Sequence, residues 1–284
     1  MQKNSRSLEK RETEKKLRVM IIGAHPDDCE AVAGIAIKLI KNGHKVKFLS
    51  ATNGQSGHQE NMGGKLAQIR WNEAKKVAKL ASVEYDFMDN DDGFLTTDLQ
   101  TRQYMIKAIR EWYPDVIITH RPNDYHPDHR NTSILVEDSS YLVCVPNVCK
   151  MTPVLRYMPV IFYMYDDFTR PYKFSQDYVF DIDDVYEDKM RLYHQYASQM
   201  YEWLPWCDNI KDRDKIPKND KDRFEWLLAT RGRDLEHIAD ECRDNLIKKY
   251  GARKGKMIKH CEALEQCEYG AKFTPEEMDR YFNF

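Results

Sequence analysis

Residues 17–28 read Leu17-Arg18-Val19-Met20-Ile21-Ile22-Gly23-Ala24-His25-Pro26-Asp27-Asp28. The short apolar run ending in glycine has the pattern of a strand buried on both faces, as in a parallel sheet. Working outward, residues 30–41 carry apolar side chains at helical spacing and stop at Asn42-Gly43, a helix C-terminal signal. A second strand is expected over 45–52, a helix over 65–81, a strand over 83–88, a helix over 99–112 and a strand over 116–119. This alternation predicts an α/β fold: a Rossmann-like, mostly parallel sheet with helices on both faces, built by right-handed crossovers.

After residue 150 the pattern changes. Strands are expected over 160–165 and 178–182 and a long helix over 184–203. A charged, proline-containing loop or lid follows over 204–222, then a C-terminal helical elaboration with segments near 223–249 and 256–268. Residues 1–16 read as a charged tail, and 17–284 as one domain.

Composition narrows the function classes. The 284 residues hold 44 Lys+Arg against 46 Asp+Glu, a net charge of −2, which argues against a nucleic-acid binder held by a basic field. Hydrophobic residues at 42% and aromatics at 12% exclude a disordered chain. No apolar run approaches the ~20 residues of a membrane span. The seven cysteines include no C-x-x-C pair, which argues against a zinc ribbon or disulfide scaffold. The N-terminus lacks an apolar secretory core, so a cytoplasmic location is the simplest expectation. Homo-oligomerisation is left open.

In an open α/β sheet, ligands bind just outside the carboxyl ends of strands. His25, Asp27 and Asp28 fall there after the first strand. Helix capping would use one such acid; two acids and a histidine exceed that need. The fourth strand ends at His120 and runs into Arg121-Pro122-Asn123-Asp124-Tyr125-His126-Pro127-Asp128-His129. If the two strands are neighbours, two His-Pro-Asp clusters face one crevice, with His126 and His129 on one helical face. Two histidines and an aspartate can make a three-ligand zinc site with an open position. A spare carboxylate can then serve as general base and a spare histidine as oxyanion donor.

The pair of motifs, His25-Pro26-Asp27-Asp28 and His126-Pro127-Asp128-His129, resembles the zinc-dependent deacetylases of the PIG-L/LmbE family, relatives of the N-acetylglucosaminyl-phosphatidylinositol de-N-acetylase. The likeness covers about 17–145, and more loosely 181–199, 230–233 and 262–270. It implies one zinc on His25, Asp28 and His129, a mixed nitrogen–oxygen set that iron or cobalt also fit. It implies Asp27 as the general base for the attacking water. It implies His126 as the stabiliser of the tetrahedral intermediate, with Asp128 as its orienting carboxylate. Arg70 matches a substrate-contacting arginine; the bare residues also fit an ion pair with Glu73. The implied substrate is a small amino sugar of the N-acetylglucosamine type.

Two departures touch the substrate mouth. The loop Thr52-Asn53-Gly54-Gln55-Ser56-Gly57-His58 lacks the charges common in relatives, and position 124 is Asp where some sugar-processing members carry Tyr. His58 and Asp124 are therefore candidate substrate contacts. Cys29 is expected to pack, and His120 to be a satisfied core histidine. Of the aromatics crowding 157–206, Tyr201, Trp203 and Trp206 are the best placed for substrate. Rival readings are an amidase for a bulkier acyl group, a non-catalytic binding protein, and a dinucleotide binder. The last lacks a glycine-rich turn, and the acids at Asp27 and Asp28 would repel a pyrophosphate.

Overall fold

The computed structural model describes residues 16–284, so the expected tail lies, but for Lys16, outside the described residues. The chain begins with strand β1 (Arg18–Gly23), a tight 3-10 turn (Asp28–Val32), helix α1 (Ala33–Lys41) and β2 (Lys45–Ser50). It continues with α2 (Gly63–Ala81), β3 (Glu84–Phe87), α3 (Leu99–Trp112), β4 (Val116–Thr119) and α4 (Pro127–Leu142). Strands β5 (Val160–Met164) and β6 (Tyr178–Asp181) and helix α5 (Tyr186–Tyr193) follow. Seven strands form one sheet in the order β3-β2-β1-β4-β5-β7-β6, with β7 at Cys261–Gln266. The pairings from β3 through to β5 are parallel; β7 runs antiparallel to both its neighbours.

Alternation along β1 explains the layering. Val19 and Ile21 pack on one face, with residues of α1, α2 and α5. Met20 and Ile22 pack on the other, with α3 and α4. Successive side chains of a strand point to opposite faces, so a strand covered on both sides must be apolar throughout. The strand order reverses at β1, which has β2 on one side and β4 on the other. That reversal opens a crevice at the carboxyl ends of β1 and β4. Residue 22 pairs with residue 119, so the segments that leave the two strands start level.

The C-terminal third departs from expectation. Residues 184–203 do not form one helix: α5 stops at Tyr193, and a π-helical turn spans Ser198–Trp203. The Glu73 carboxylate accepts from Ser198 N (2.8 Å) and Ser198 Oγ (2.7 Å), fixing a new helical start there. The 204–222 segment is helical at its ends, in α6 (Leu204–Cys207) and the start of α7 (Asp220–Leu227). Residues 223–249 break into the rest of α7, a second π-turn (Leu228–Gly232), α8 (Glu236–Glu241) and α9 (Arg243–Tyr250). Short α10 (Ala252–Met257) and a closing α11 (Pro275–Phe282) complete the order. The expected helix over 256–268 is instead largely β7. Its Ala, Leu and Glu favour a helix locally, but pairing on both edges and burial on both faces override that preference. Among the described residues no helix is long and apolar enough to cross a membrane.

Glu262 of β7 ties this region to the site's framework. Its carboxylate accepts from the first-turn amides of α1, Gly34 N (2.8 Å) and Ile35 N (2.7 Å), and from Lys189 Nζ (2.7 Å). Both members of the ion pair are buried. Glu262→Ala should therefore cost about 3–5 kcal/mol in urea unfolding, because it strands a buried ammonium. Glu262→Ala together with Lys189→Met should recover much of that loss.

Candidate active site

The chain leaving β1 turns back sharply. A Cβ on Gly23 would sit 2.6 Å from the Asp28 Cβ, so only glycine allows Asp28 to fold over the strand end. The turn is closed by Asp28 Oδ2, which accepts from His25 N at 2.7 Å. Asp27 takes φ of 107°, a left-handed conformation that costs a non-glycine residue of order 1–3 kcal/mol. Such strain persists only where the surroundings over-determine it.

Three atoms converge at this turn. His25 Nδ1 lies 3.4 Å from Asp28 Oδ2, His129 Nε2 lies 3.5 Å from the same oxygen, and the two nitrogens are 3.3 Å apart. Ligands 2.0–2.1 Å from a tetrahedral cation stand about 3.3–3.4 Å from one another. The triangle thus has the dimensions of three corners of such a site.

The outer nitrogens of both rings face carboxylates. His25 Nε2 lies 3.1 Å from Asp92 Oδ1 and 3.2 Å from Asp128 Oδ2. His129 Nδ1 lies 3.0 Å from Asp124 Oδ2. A carboxylate behind an imidazole holds the proton on the outer nitrogen and leaves the inner lone pair for a cation. Without one, the cluster is strongly acidic: Asp27, Asp28, Asp92, Asp124 and Asp128 gather here, while Arg121 is matched by Asp166 and Arg231 by Asp208. Burial works to lower the His25 pKa, yet the hydrogen bonds of Asp128, Asp28 and Asp92 raise it well above its ordinary value. Burial opposes ionisation of Asp28 too, but His129 and His120 hold its carboxyl well below the usual range. Asp27 moves the other way: burial first, then the Asp28 charge, push it up to about 7 against the pull of Arg70.

His126 is the N-cap of α4, and its Nδ1 accepts from Asp128 N at 3.2 Å. A neutral ring that accepts at Nδ1 carries its proton on Nε2. Burial, then the neighbouring His25 and His129, lower its pKa and favour that neutral form. Here the structure corrects the sequence reading of Asp128. Its carboxylate accepts from Gly93 N (2.7 Å) and Leu95 N (3.3 Å) and faces His25; only its backbone amide touches His126. A side chain one residue into the helix is turned away from the N-cap ring and toward the loop after β3.

The other expected residues divide. Arg70 is buried, donates Nη2 to Gly57 O (2.9 Å) and to Gln199 Oε1, and makes no hydrogen bond through Nη1. Its ion pair with Glu73 is buried rather than on the surface, with Nη1 3.9 Å from Glu73 Oε2. Asp124 lines the cavity but serves His129 and the His126 amide (2.9 Å). His58 does not border the cavity. Its Nδ1 accepts from Glu60 N and Asn61 N and its Nε2 faces Glu202, so it holds its own loop together. Cys29 packs with its thiol toward Ile21 O, and His120 accepts from Ala24 N (3.1 Å) while stacking on His129. Tyr201 is buried against His194, whereas Trp203 borders the cavity with Trp206 stacked behind it. Asp92 is absent from the sequence reading. Its signal was its place just past a strand's carboxyl end, in Asp91-Asp92-Gly93.

All of this opens into a cavity of about 890 Å³. Residues 20–139 match the family model described as PIG-L: GlcNAc-PI de-N-acetylase. That stretch is similar to the PIG-L family. Both His-Pro-Asp motifs lie inside the matched span. Three solved structures share this chain's fold. N,N'-diacetylchitobiose deacetylase from Pyrococcus horikoshii is 21% identical, with 89% of this chain and 84% of that one covered and a TM-score of 0.67. GalB, the 4-carboxy-2-hydroxymuconate hydratase of Pseudomonas putida, is 16% identical over 92% and 98%, at 0.68. The A40926 pseudoaglycone deacetylase Dbv21 is 14% identical over 91% and 100%, at 0.60. At these identities the likeness is one of fold.

The strained turn yields a measurable consequence. With metal removed by a chelator, Asp27→Gly should be more stable than wild type by about 1 kcal/mol in urea unfolding. It relieves a left-handed residue and a buried carboxylate, less the greater entropy of glycine in the unfolded chain. Equal or lower stability would show that the turn is not strained.

Proposed function

We propose that this chain is a metal-dependent hydrolase that removes an N-acetyl group from an N-acetylglucosamine-type amino sugar or its conjugate. The observation that carries the reading is the triangle of His25 Nδ1, Asp28 Oδ2 and His129 Nε2, with edges of 3.3–3.5 Å, beside the carboxyl of Asp27. A divalent cation held there, zinc in our reading, would polarise the amide carbonyl and acidify the attacking water. Fold alone does not choose the reaction, since a hydratase shares it. The PIG-L match over both motifs and the place of His126 favour amide hydrolysis.

The residues divide the work. Asp27 takes the proton of the attacking water as the new carbon–oxygen bond forms. Its φ of 107° separates its direction from that of Asp28, so one carboxylate holds the ion and the other handles the proton. His126, with Nδ1 occupied by the Asp128 amide, offers Nε2–H to the carbonyl oxygen as it gains charge. Asp27 then returns the proton to the leaving nitrogen, the carbon–nitrogen bond breaks, and acetate and the free amine result. Arg70 lines the cavity with no hydrogen bond at Nη1, which suits it to hold a substrate oxygen. We place the enzyme in the cytoplasm, a reading supported by buried cysteines such as Cys29 and Cys267 that form no disulfide.

Acetate release from acetylated amino sugars by the zinc-loaded protein tests the activity. Elemental analysis should find about one metal per chain in wild type and little in His129→Ala. His126→Ala should keep its metal and lose ~10²–10³ in kcat, as expected for an oxyanion donor. Loss of metal in that variant would exchange the two histidines' roles. Asp27→Asn should retain metal and lose ~10²–10⁴ in rate, whereas Asp28→Asn should weaken metal binding, with rate partly restored by excess zinc.

A further inference from the structure

Two residues beyond Asp28, the tight turn buries an acid that amide hydrolysis does not use. Glu30 is wholly shielded from solvent, and the charges of Asp27 and Asp28 beside it have its own sign. Its Oε2 has no hydrogen-bond partner. Its Oε1 accepts from Tyr196 Oη at 2.8 Å. Tyr196 is buried between α5 and the first π-turn, and its Oη lies 3.3 Å from Tyr85 Oη on β3. Tyr85 Oη in turn lies 3.5 Å from Asp27 N. For stability alone, apolar groups of the same shape would serve as well as this set.

The direction of the chain of hydrogen bonds is fixed. A backbone N–H only donates, so Tyr85 accepts from Asp27. The Tyr85 proton then goes to Tyr196, and the Tyr196 proton goes to Glu30. The first link is long, but the phenol that makes it is held: the Tyr85 ring stacks on Phe87, centroids 5.2 Å apart, and meets Phe48 edge-on at 5.5 Å. The amide at the head of the chain belongs to the residue with φ of 107°. Asp28, the next residue, is fixed by its bond to His25 N. With the peptide before Asp27 held by Tyr85 and the residue after it held by His25, that angle cannot relax.

We propose that Tyr85, Tyr196 and Glu30 are positioning residues for Asp27: they hold its peptide in the left-handed turn and so aim its carboxyl at the attacking water. None of the three lines the cavity, so they act through Asp27 and not on substrate. This inference rests on the hydrolase reading for what Asp27 does, and adds what keeps it in place.

Tyr85→Phe and Tyr196→Phe each remove one hydroxyl from a ring that keeps its packing. In the zinc-loaded protein, acting on N-acetylglucosamine, each should keep its metal and its KM while kcat falls about tenfold, the scale of a small misplacement of a reacting group. An unchanged kcat, or a loss of metal, overturns the proposal and leaves the hydrolase reading standing. Glu30→Leu should fall with Tyr196→Phe, and Glu30→Gln, which still offers Tyr196 an acceptor, should recover most of the rate; equal losses in the two overturn the proposal. If Glu30→Leu does not fold, the tyrosine variants decide. In an Asp27→Asn background, Tyr85→Phe should cost less than about twofold more, because no base remains to be aimed. A further loss of about tenfold there shows that the phenol serves another group, and overturns the proposal. If wild type hydrolyses no acetylated amino sugar, the hydrolase reading fails, and a crystal structure of Tyr85→Phe decides the positioning alone. Asp27 leaving the left-handed region supports it, and φ still near 107° overturns it.

Discussion

The parallel pairing of β1 with β4 is the constraint on which the site depends. Neither His-Pro-Asp segment makes the triangle of His25, Asp28 and His129 alone. Hydrogen bonding between the strands sets residue 22 level with residue 119, and the crossovers send both following segments to the same side. Everything chemical follows from that registration: His25 and Asp28 arrive from one strand and His129 from the helix after the other. A slip of even one residue would turn every side chain of a strand to the opposite face, so the core and the site are specified together.

The site is also arranged against the ordinary preferences of its parts. Five carboxylates gather in a poorly solvated place, and one of them sits on a left-handed residue. In isolation each choice is destabilising. Together they make sense as a frame for a cation. The outer carboxylates at Asp92, Asp124 and Asp128 set the proton positions on the two imidazoles and tie the loop after β3 to α4. The strain at Asp27 lets two adjacent acids serve different atoms.

How much of this could be read in the sequence follows from where each signal resides. The first four strands and three helices announce themselves by period and punctuation, since each is decided within a dozen residues. The meeting of His25, Asp28 and His129 was legible because the two motifs follow the carboxyl ends of what prove to be neighbouring strands. Asp128 was not, because the direction of its carboxylate depends on how α4 is rotated against Gly93 and Leu95, 33 residues or more away in sequence. Asp92 was hidden for the same reason. His58 looked available for substrate because its loop amides, which occupy it, become visible only once the loop is folded. Strand β7 was hidden by helix-favouring side chains that tertiary pairing overrules.

The placement of β7 carries a consequence for the order in which the molecule can be assembled. It lies between β5 and β6, so β6 pairs with β7 and with no other strand of the sheet. A chain emerging from the ribosome therefore completes β6 at residue 181 and must wait some eighty residues for its hydrogen-bonding partner. Until then β5 presents an open edge, a template for pairing with other chains. The first five strands, with His25, Asp27, Asp28 and His129, can meanwhile collapse around their local crossovers. The far side of the cavity, from α5 to α8, is then closed by the last strand of the sheet. In this ordering the His-Asp cluster is built early and the opposite face of the cavity is secured late.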